Sequence, residues 1–499
     1  MKPLIHEIAG EPNAKALTAV VESLGGAVVL RSLPPGATHC RHSFWFCEPF
    51  LRLRAWGTRV EVTAGGGTQE VFGNPWRVLG GLMARYEMRG ALDFPLPLGA
   101  CAGYWGYDLK HHVEPRLQRR LENDLSLPDC HLGFYDSLLA VDHLLGRTWI
   151  ISTGMRPDGS VDAAWARHGA HRWQDRLESA NRGPAAVLPP APDAHPHVPR
   201  SNLTLEAWIK TVLRAQALIR AGDIYQVNLS QRFEVPSTLP ARQLRERLWD
   251  VSPAPFSALV DAGEFQILST SPEQFLSLSG SQIKTCPIKG TRPRGRDAAH
   301  DEQLACELRT SPKELAELVM ITDLLRNDLG RVCEYGSIHV PELAALERFA
   351  QVQHLVSTIE GRLLPGIDHA GALERCFPGG SITGAPKFRA MEIIEELEAV
   401  ARGPYTGALG YLGFNRESQL SIIIRAALHT EKATFFQTGA GIVADSNPTA
   451  EYEETLAKAA GFFAALQGVG PSSRSSDALL RPDVTEPSVR QPPSRPSFP

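Results

Sequence analysis

Three groups of residues have the types and spacing to do chemistry. The first is Ser271-Pro272-Glu273, followed by Lys289 in Pro287-Ile288-Lys289-Gly290-Thr291. A free lysine amine titrates near about 10.4, so a nucleophilic lysine must be held neutral by burial or by neighbouring positive charge. Cys286, Pro287 and Ile288 flank Lys289, which is not the setting of a charged surface stretch. Glu273 is a candidate proton carrier for that amine or for a departing hydroxyl. By spacing alone, a turn carboxylate and a surface lysine are the simpler reading. The second group is acidic. Glu451 and Glu454 stand at i, i+3 and share a helix face, which Lys458 continues, and Glu317 belongs to another helix. Carboxylates converging from two helices suit a hard cation such as Mg²⁺, which keeps waters and accepts substrate oxygens. The alternative is an exposed helix face with Glu454 paired to Lys458.

The third group is rich in glycine. Pro378-Gly379-Gly380-Ser381-Ile382-Thr383-Gly384-Ala385-Pro386-Lys387 leads into a helix, and such a loop offers backbone N–H groups to an anion. It is not a P-loop, because no Lys-Ser or Lys-Thr follows Gly384 directly. Gly439-Ala440-Gly441 lets a second backbone segment approach a ligand closely. Arg425 closes the apolar run Ile422-Ile423-Ile424, and a fixed guanidinium matches a carboxylate or serves as an ordinary strand-end arginine. His354, alone, reads as a hydrogen-bonded structural histidine. Together these groups imply a small, dense anion, and a dicarboxylate bound with Mg²⁺ fits better than a nucleotide.

Elements that position them follow from periodicity. Trp208, Val212, Ala215 and Ile219 mark a helix that starts after Thr204 and ends at Gly222. Phe265 to Ser269, Phe275 to Leu278 and Ile283 to Thr285 read as strands. A meander of the last two would bring Glu273 and Lys289 to one sheet edge. Further helices are expected over Glu314 to Leu329, Pro386 to Val400 and Pro448 to Leu466, with a strand over Thr434 to Gln437. Strands and helices mix without βαβ alternation, so the fold class is α+β.

Composition narrows the function classes. The 499 residues carry a formal net charge of -4 and no long basic run, so nucleic acid is not an expected partner. No apolar run reaches a membrane span, and the start of the chain has no signal-peptide core, so a cytoplasmic protein is expected. The eight cysteines form no C-x-x-C pair, which argues against zinc and a disulfide framework; Cys40, His42 and Cys47 read as packing. Arg182 to Arg200 is rich in Pro and Ala, and Pro471 to Pro499 in Ser, Pro and Arg. The expected organisation is an N-terminal domain at 1–181, a linker at 182–200, a catalytic domain at 201–470 and a disordered tail at 471–499.

Seven segments in one order carry a family resemblance: GDIYQVNLSQRF, STSPEQFL, PIKGTRPRG, LRNDLGRV, QHLVSTIEG, PGGSITGAPK and GAGIVADSNPTAEYEET, with GYWGYDL and LPDCHLGFYD before them. The chain resembles the chorismate-utilising enzymes, and within them component I of aminodeoxychorismate synthase. The resemblance implies two facing β-sheets in a sandwich surrounded by helices, as in anthranilate synthase component I. It also implies roles. Lys289 would attack C2 of chorismate, with Glu273 as general acid/base and His354 as an active-site histidine. Glu317, Glu451 and Glu454 would hold Mg²⁺. Thr291, Ser381, Thr383, Tyr405, Arg425, Gly439, Gly441 and Lys458 would bind substrate. Anthranilate synthase component I has alanine at the Lys289 position and sends nitrogen to C2, so this lysine implies amination at C4 and a place in p-aminobenzoate and folate synthesis. No segment resembles a glutaminase, so a separate glutamine amidotransferase subunit is implied. Val28-Val29-Leu30-Arg31-Ser32 departs from the inhibitor-sensing motif of anthranilate synthases and does not support regulation by tryptophan.

Overall fold

Strands such as His42–Phe46 and Ala100–Trp105 are apolar on both faces, and the architecture uses both. Phe44 and Phe46 enter one apolar cluster with Ala100, Ala102 and Tyr104, while Trp45, Cys101 and Trp105 enter another with the helices. The period-2 alternation of a strand thus feeds two cores. The computed structural model describes residues 2–33, 41–88, 90, 94–182, 199–237, 239–349 and 352–467. They form two antiparallel sheets of 12 strands each, with helices packed against them. Phe44 of one sheet meets Tyr411 of the other edge-on, with ring centroids 5.0 Å apart. The expected α+β sandwich is what the chain adopts.

Both sheets run through both halves of the chain. Val28–Arg31 pairs with Phe256–Asp261 in the first sheet, and Ala100–Trp105 pairs with Ala408–Gly413 in the second. The boundary expected at 182–200 therefore marks a place in the sequence and not a division between two cores. Residues 183–198 of that segment and the expected tail at 471–499 lie outside the described residues, as does Cys40. Cys47, Cys101, Cys130, Cys286, Cys333 and Cys376 are free and buried, and Cys306 is free and exposed. No helix among the described residues is long and apolar enough to cross a membrane.

The expected helices form with identifiable starts. Thr204 accepts from Ala207 N–H at 3.1 Å to open Leu205–Arg220, and Ser311 accepts from Glu314 N–H at 3.4 Å to open Pro312–Gly330. Asn447 accepts from Thr449 N–H and Ala450 N–H, both at 3.0 Å, at the start of Pro448–Gln467. The strand expected over Thr434 to Gln437 extends across Ala433–Ile442, so Gly439 and Gly441 lie inside a strand.

The strands around Lys289 differ from a simple meander. Phe265–Ser271 lies in the first sheet and Gln274–Ser279 in the second, so Glu273 sits at the crossing between them. Gln274–Ser279 and Gln282–Cys286 form the expected hairpin, with Gln274 opposite Cys286. Thr285 pairs with Ile359 and Ile288 with Val356, so Ile288–Pro293 continues Gln282–Cys286 along the same flank of Val352–Arg362. Pro287 interrupts this line because it lacks an N–H, though its carbonyl accepts from Ser357 N–H at 3.1 Å. Glu273 and Lys289 consequently emerge at the same end of the hairpin.

Gly103 adopts φ +149, and a Cβ there would stand 2.1 Å from the His131 carbonyl oxygen. Gly103→Ala must push apart two paired strands of the second sheet. Chemical denaturation is expected to show a loss of at least about 2 kcal/mol in unfolding free energy.

Candidate active site

A cavity of about 560 Å³ lies where the strand ends of both sheets meet helices Pro312–Gly330 and Pro448–Gln467. Its wall gathers residues up to 230 positions apart in sequence, from Asn228 to Lys458. Glu273, Lys289, Thr291 and His354 come from the strands just described. Ser381 comes from the glycine-rich loop, and Tyr405 and Arg425 from segments beside the two sheets. Gly439 and Gly441 come from Ala433–Ile442, and Glu317, Glu451, Glu454 and Lys458 from the two helices.

Lys289 is placed by a β-bulge. Register along Val352–Arg362 shifts between Lys289 and Thr291, and Gly290 between them takes φ +70. A Cβ on Gly290 would meet Leu308 at 2.7 Å, so neither the conformation nor the space admits another residue readily. The Lys289 ammonium lies 3.9 Å from Glu317 Oε2. Glu273 is buried and accepts a hydrogen bond from Ser381 Oγ at 2.5 Å. Burial pushes its carboxyl above the ordinary range, against the opposing pull of Ser381, Lys289 and Lys458. A carboxyl held toward its protonated form in the wall of the same cavity as an amine is suited to hand over a proton.

His354 Nδ1 lies 3.2 Å from the Gly290 carbonyl and 2.9 Å from Thr291 Oγ1. A carbonyl only accepts, so that contact assigns the proton to Nδ1 and leaves Nε2 as an acceptor. Burial pulls the imidazole down to about 4. Its neutral form is the folded one, so stability falls as pH drops from the ordinary value of about 6.5 through that lower value, and levels off below it. His354→Gln is expected to lose less stability than the native chain over that acid window in denaturant titrations.

The acidic group faces the same space. Burial raises Glu317 and Glu451, with Glu454 adding to both by like-charge repulsion. Glu454 goes the other way: burial opposes its charge, but Lys458 at 2.8 Å, with Lys289 and Lys313 farther off, more than offsets this. Lys458 also donates to the Gly439 carbonyl at 2.7 Å. Three carboxylates from two helices, facing one cavity with oxygen donors alone, fit a hard divalent cation.

Arg425 has no such compensation. Burial lowers its guanidinium below the ordinary value, and among the described residues no carboxylate pairs with it. Its φ of +49 turns it out of the strand line at the cavity wall. An uncompensated buried cation in a cavity wall is costly unless an anionic ligand meets it.

The glycine-rich loop departs from the expected anion cradle. Gly384–Ala385 pairs with Gln226–Val227 as a short strand, and a Cβ on Gly384 would stand 2.2 Å from the Gln226 carbonyl oxygen. Gly380 is needed for close packing on Leu324, 2.8 Å from its would-be Cβ. Lys387 turns back to Asp328 at 2.6 Å and to the Pro378 carbonyl at 2.9 Å. The loop delivers Ser381 to Glu273. Thr383 does not line the cavity: it is fully buried and its hydroxyl donates to the carbonyls of Gly379 and Gly380, each at 3.2 Å.

Two sets of residues were not singled out from the sequence. Arg402 lies behind Tyr405 and donates to Glu398 at 2.9 and 2.7 Å, to the Asn228 carbonyl at 2.9 Å and to the Ile382 carbonyl at 3.0 Å. Burial works against its charge, and Glu398 reverses that effect. Glu398→Ala would leave Arg402 buried and unpaired, and a loss of about 3–5 kcal/mol in unfolding free energy is expected. The second set is Asp108, His111 and Glu395, whose ligand atoms lie within 4.8 Å of one another. The Lys110 ammonium stands 2.9 Å from both carboxylates, so this is a buried ion-pair network and not a metal centre. Lys110 and Arg402 also flank the Tyr107 ring, at 4.2 and 4.7 Å. The sequence signal that could have found it is GYWGYDL itself, which places Tyr107 and Asp108 two to three residues before Lys110.

Fold and cavity together describe an α+β protein whose two sheets meet at a cavity that sets a buried arginine among carboxylates. The chorismate binding enzyme family matches residues 41–464, and the chain belongs to that family. Anthranilate synthase component 1 of Acetivibrio thermocellus is 36% identical over 452 residues, covering 89% of this chain and 90% of that one. Aminodeoxychorismate synthase component 1 of Escherichia coli is 38% identical over 433 residues, covering 87% and 91%. Among solved structures, anthranilate synthase component I from Streptococcus pneumoniae superimposes with a TM-score of 0.73 at 29% identity, covering 87% of this chain and 93% of that one. The relatives carry both activities at similar identity, so overall similarity does not choose between them.

Proposed function

We propose that this chain is component I of an aminodeoxychorismate synthase, converting chorismate and ammonia to 4-amino-4-deoxychorismate. The observation that carries the reading is Lys289, set by the Gly290 bulge on the wall of the same cavity as the buried Glu273. The Lys289 nitrogen bonds to C2, the ring double bonds shift toward C4, and the hydroxyl leaves C4 as water with a proton from Glu273. Ammonia then bonds to C4, the double bonds shift back, and the lysine amine leaves C2. The ammonia nitrogen gives up a proton to the carboxylate of Glu273, which restores the starting state. With C2 occupied by lysine, nitrogen reaches only C4.

Arg425, Tyr405, Lys458 and the Gly441 amide would orient the substrate carboxylates. Glu317 and Glu454, assisted by Glu451, would hold Mg²⁺, which when bound neutralises the ring carboxylate. The name "component 1" borne by these relatives agrees with ammonia arriving from a separate glutamine amidotransferase, in a cytoplasmic route to p-aminobenzoate and folate. The second reading is anthranilate synthase, favoured by relatives such as that of Acetivibrio thermocellus.

Intact-mass spectrometry in ammonia-free buffer separates the two. With chorismate and Mg²⁺, the chain is expected to gain the mass of chorismate minus one water, mapped to the Lys289 peptide. An unmodified chain that releases pyruvate from chorismate once ammonium is added would overturn the proposal.

A further inference from the structure

We propose that Lys289 and Lys313 are resident counter-cations of Glu317, which a divalent cation must displace before it can take that carboxylate. The inference rests on the reading of Glu317 as a metal ligand. Each carboxylate oxygen has its own ammonium: Lys289 lies 3.9 Å from Oε2 and Lys313 lies 4.0 Å from Oε1. The two lysines reach Glu317 from different elements. Lys289 extends from the bulged strand, while Lys313 sits one turn earlier on the same helix as Glu317.

The other two proposed ligands have partners of their own. Glu454 pairs with Lys458, and Glu451 accepts from Ser446 Oγ at 2.8 Å. Among the described residues, the single set of three ligand-type side chains drawn within 4.8 Å of one another is Asp108, His111 and Glu395. Glu317, Glu451 and Glu454 are therefore not gathered by each other; each is satisfied by a local partner. A cation that gathers them has to exchange those partners, and the lysines of Glu317 and of Glu454 compete with it by charge.

This exchange couples two events. Metal capture by Glu317 and release of the Lys289 ammonium from its carboxylate become one step, so the side chain is free to turn to substrate only once the metal is held, and it becomes a nucleophile when a base then takes its proton. Coupling of this kind is reciprocal: whatever the lysine costs the metal in affinity, its removal returns. Lys289 and Glu317 are both 18% exposed, so their attraction is poorly screened, whereas Lys313 is 60% exposed and contributes less. Arg292 serves as the control. It lines the same cavity with the same charge, but pairs with Glu314 at 3.5 Å instead of Glu317.

Mn²⁺ binding to the full chain without substrate, followed by electron paramagnetic resonance, tests the proposal without reference to turnover. Lys289→Met is expected to tighten Mn²⁺ binding on the order of tenfold and Lys313→Met about two- to threefold, with Arg292→Met unchanged. Lys289→Gln provides the same comparison if the methionine variant does not fold. Unchanged or weaker binding in the Lys289 variants, or an equal gain in Arg292→Met, overturns the exchange while leaving the metal site standing. Equal Mn²⁺ binding by the native chain and Glu317→Gln would instead remove Glu317 as a ligand, and the exchange with it.

Discussion

Lys289→Ala is expected to lower formation of the 4-amino product by about 10³-fold or more, with the remaining turnover carrying nitrogen at C2. Lys289 is positioned by a bulge whose glycine admits no other residue readily, and it faces Glu273 across the cavity. Alanine leaves the cavity, the acidic residues and Arg425 in place, so chorismate still binds. It removes the one group proposed to occupy C2, and ammonia then meets an unblocked carbon there. Product analysis by liquid chromatography and mass spectrometry reads both effects at once. Full 4-amination by the alanine variant would rule out the lysine as nucleophile even though the family assignment stood.

Glu273→Gln should cost about 10²–10⁴-fold in kcat, the usual contribution of a positioned general acid. The amide keeps the size of the side chain and an acceptor for Ser381 Oγ, so the local hydrogen bond at 2.5 Å has a substitute. What is lost is a transferable proton. Burial already holds the Glu273 carboxyl toward its protonated form, which suits donation to a leaving hydroxyl. Substrate affinity should change little, because the proposed carboxylate-binding groups are Arg425, Tyr405 and Lys458. Steady-state kinetics showing a raised KM with unchanged kcat would place Glu273 in binding instead of proton transfer.

Much of this site could be read from sequence because its carriers are local. Ser311, Pro312 and the apolar period announce the helix of Glu317, and i, i+3 spacing puts Glu451 and Glu454 on one face. Pro287 and Gly290 set Lys289 apart from a charged surface stretch, although the bulged strand Ile288–Pro293 that carries it lies beyond the expected strands. Other features were hidden because they depend on pairing across the whole chain. Nothing in the period of Val28–Arg31 says that it will lie beside Phe256–Asp261, so two domains were expected where the sheets are shared. The glycines of Pro378 to Lys387 suggested an anion cradle, but a glycine that admits a ligand and one that admits a neighbouring strand or Leu324 look alike in sequence. Thr383 was misplaced for the same reason, since its hydroxyl is satisfied within its own loop. Lys110, in the short helix Lys110–Val113, looks like surface charge until Glu395 arrives from almost three hundred residues away.

Whether nitrogen enters at C4 is read from the identity of the product. Purified native chain is incubated with chorismate, Mg²⁺ and ¹⁵N-ammonium, and the product is examined by NMR. The expected product is 4-amino-4-deoxychorismate, with ¹⁵N on C4 and no release of pyruvate. Anthranilate labelled at the ring carbon beside the carboxylate, released together with pyruvate, would contradict it.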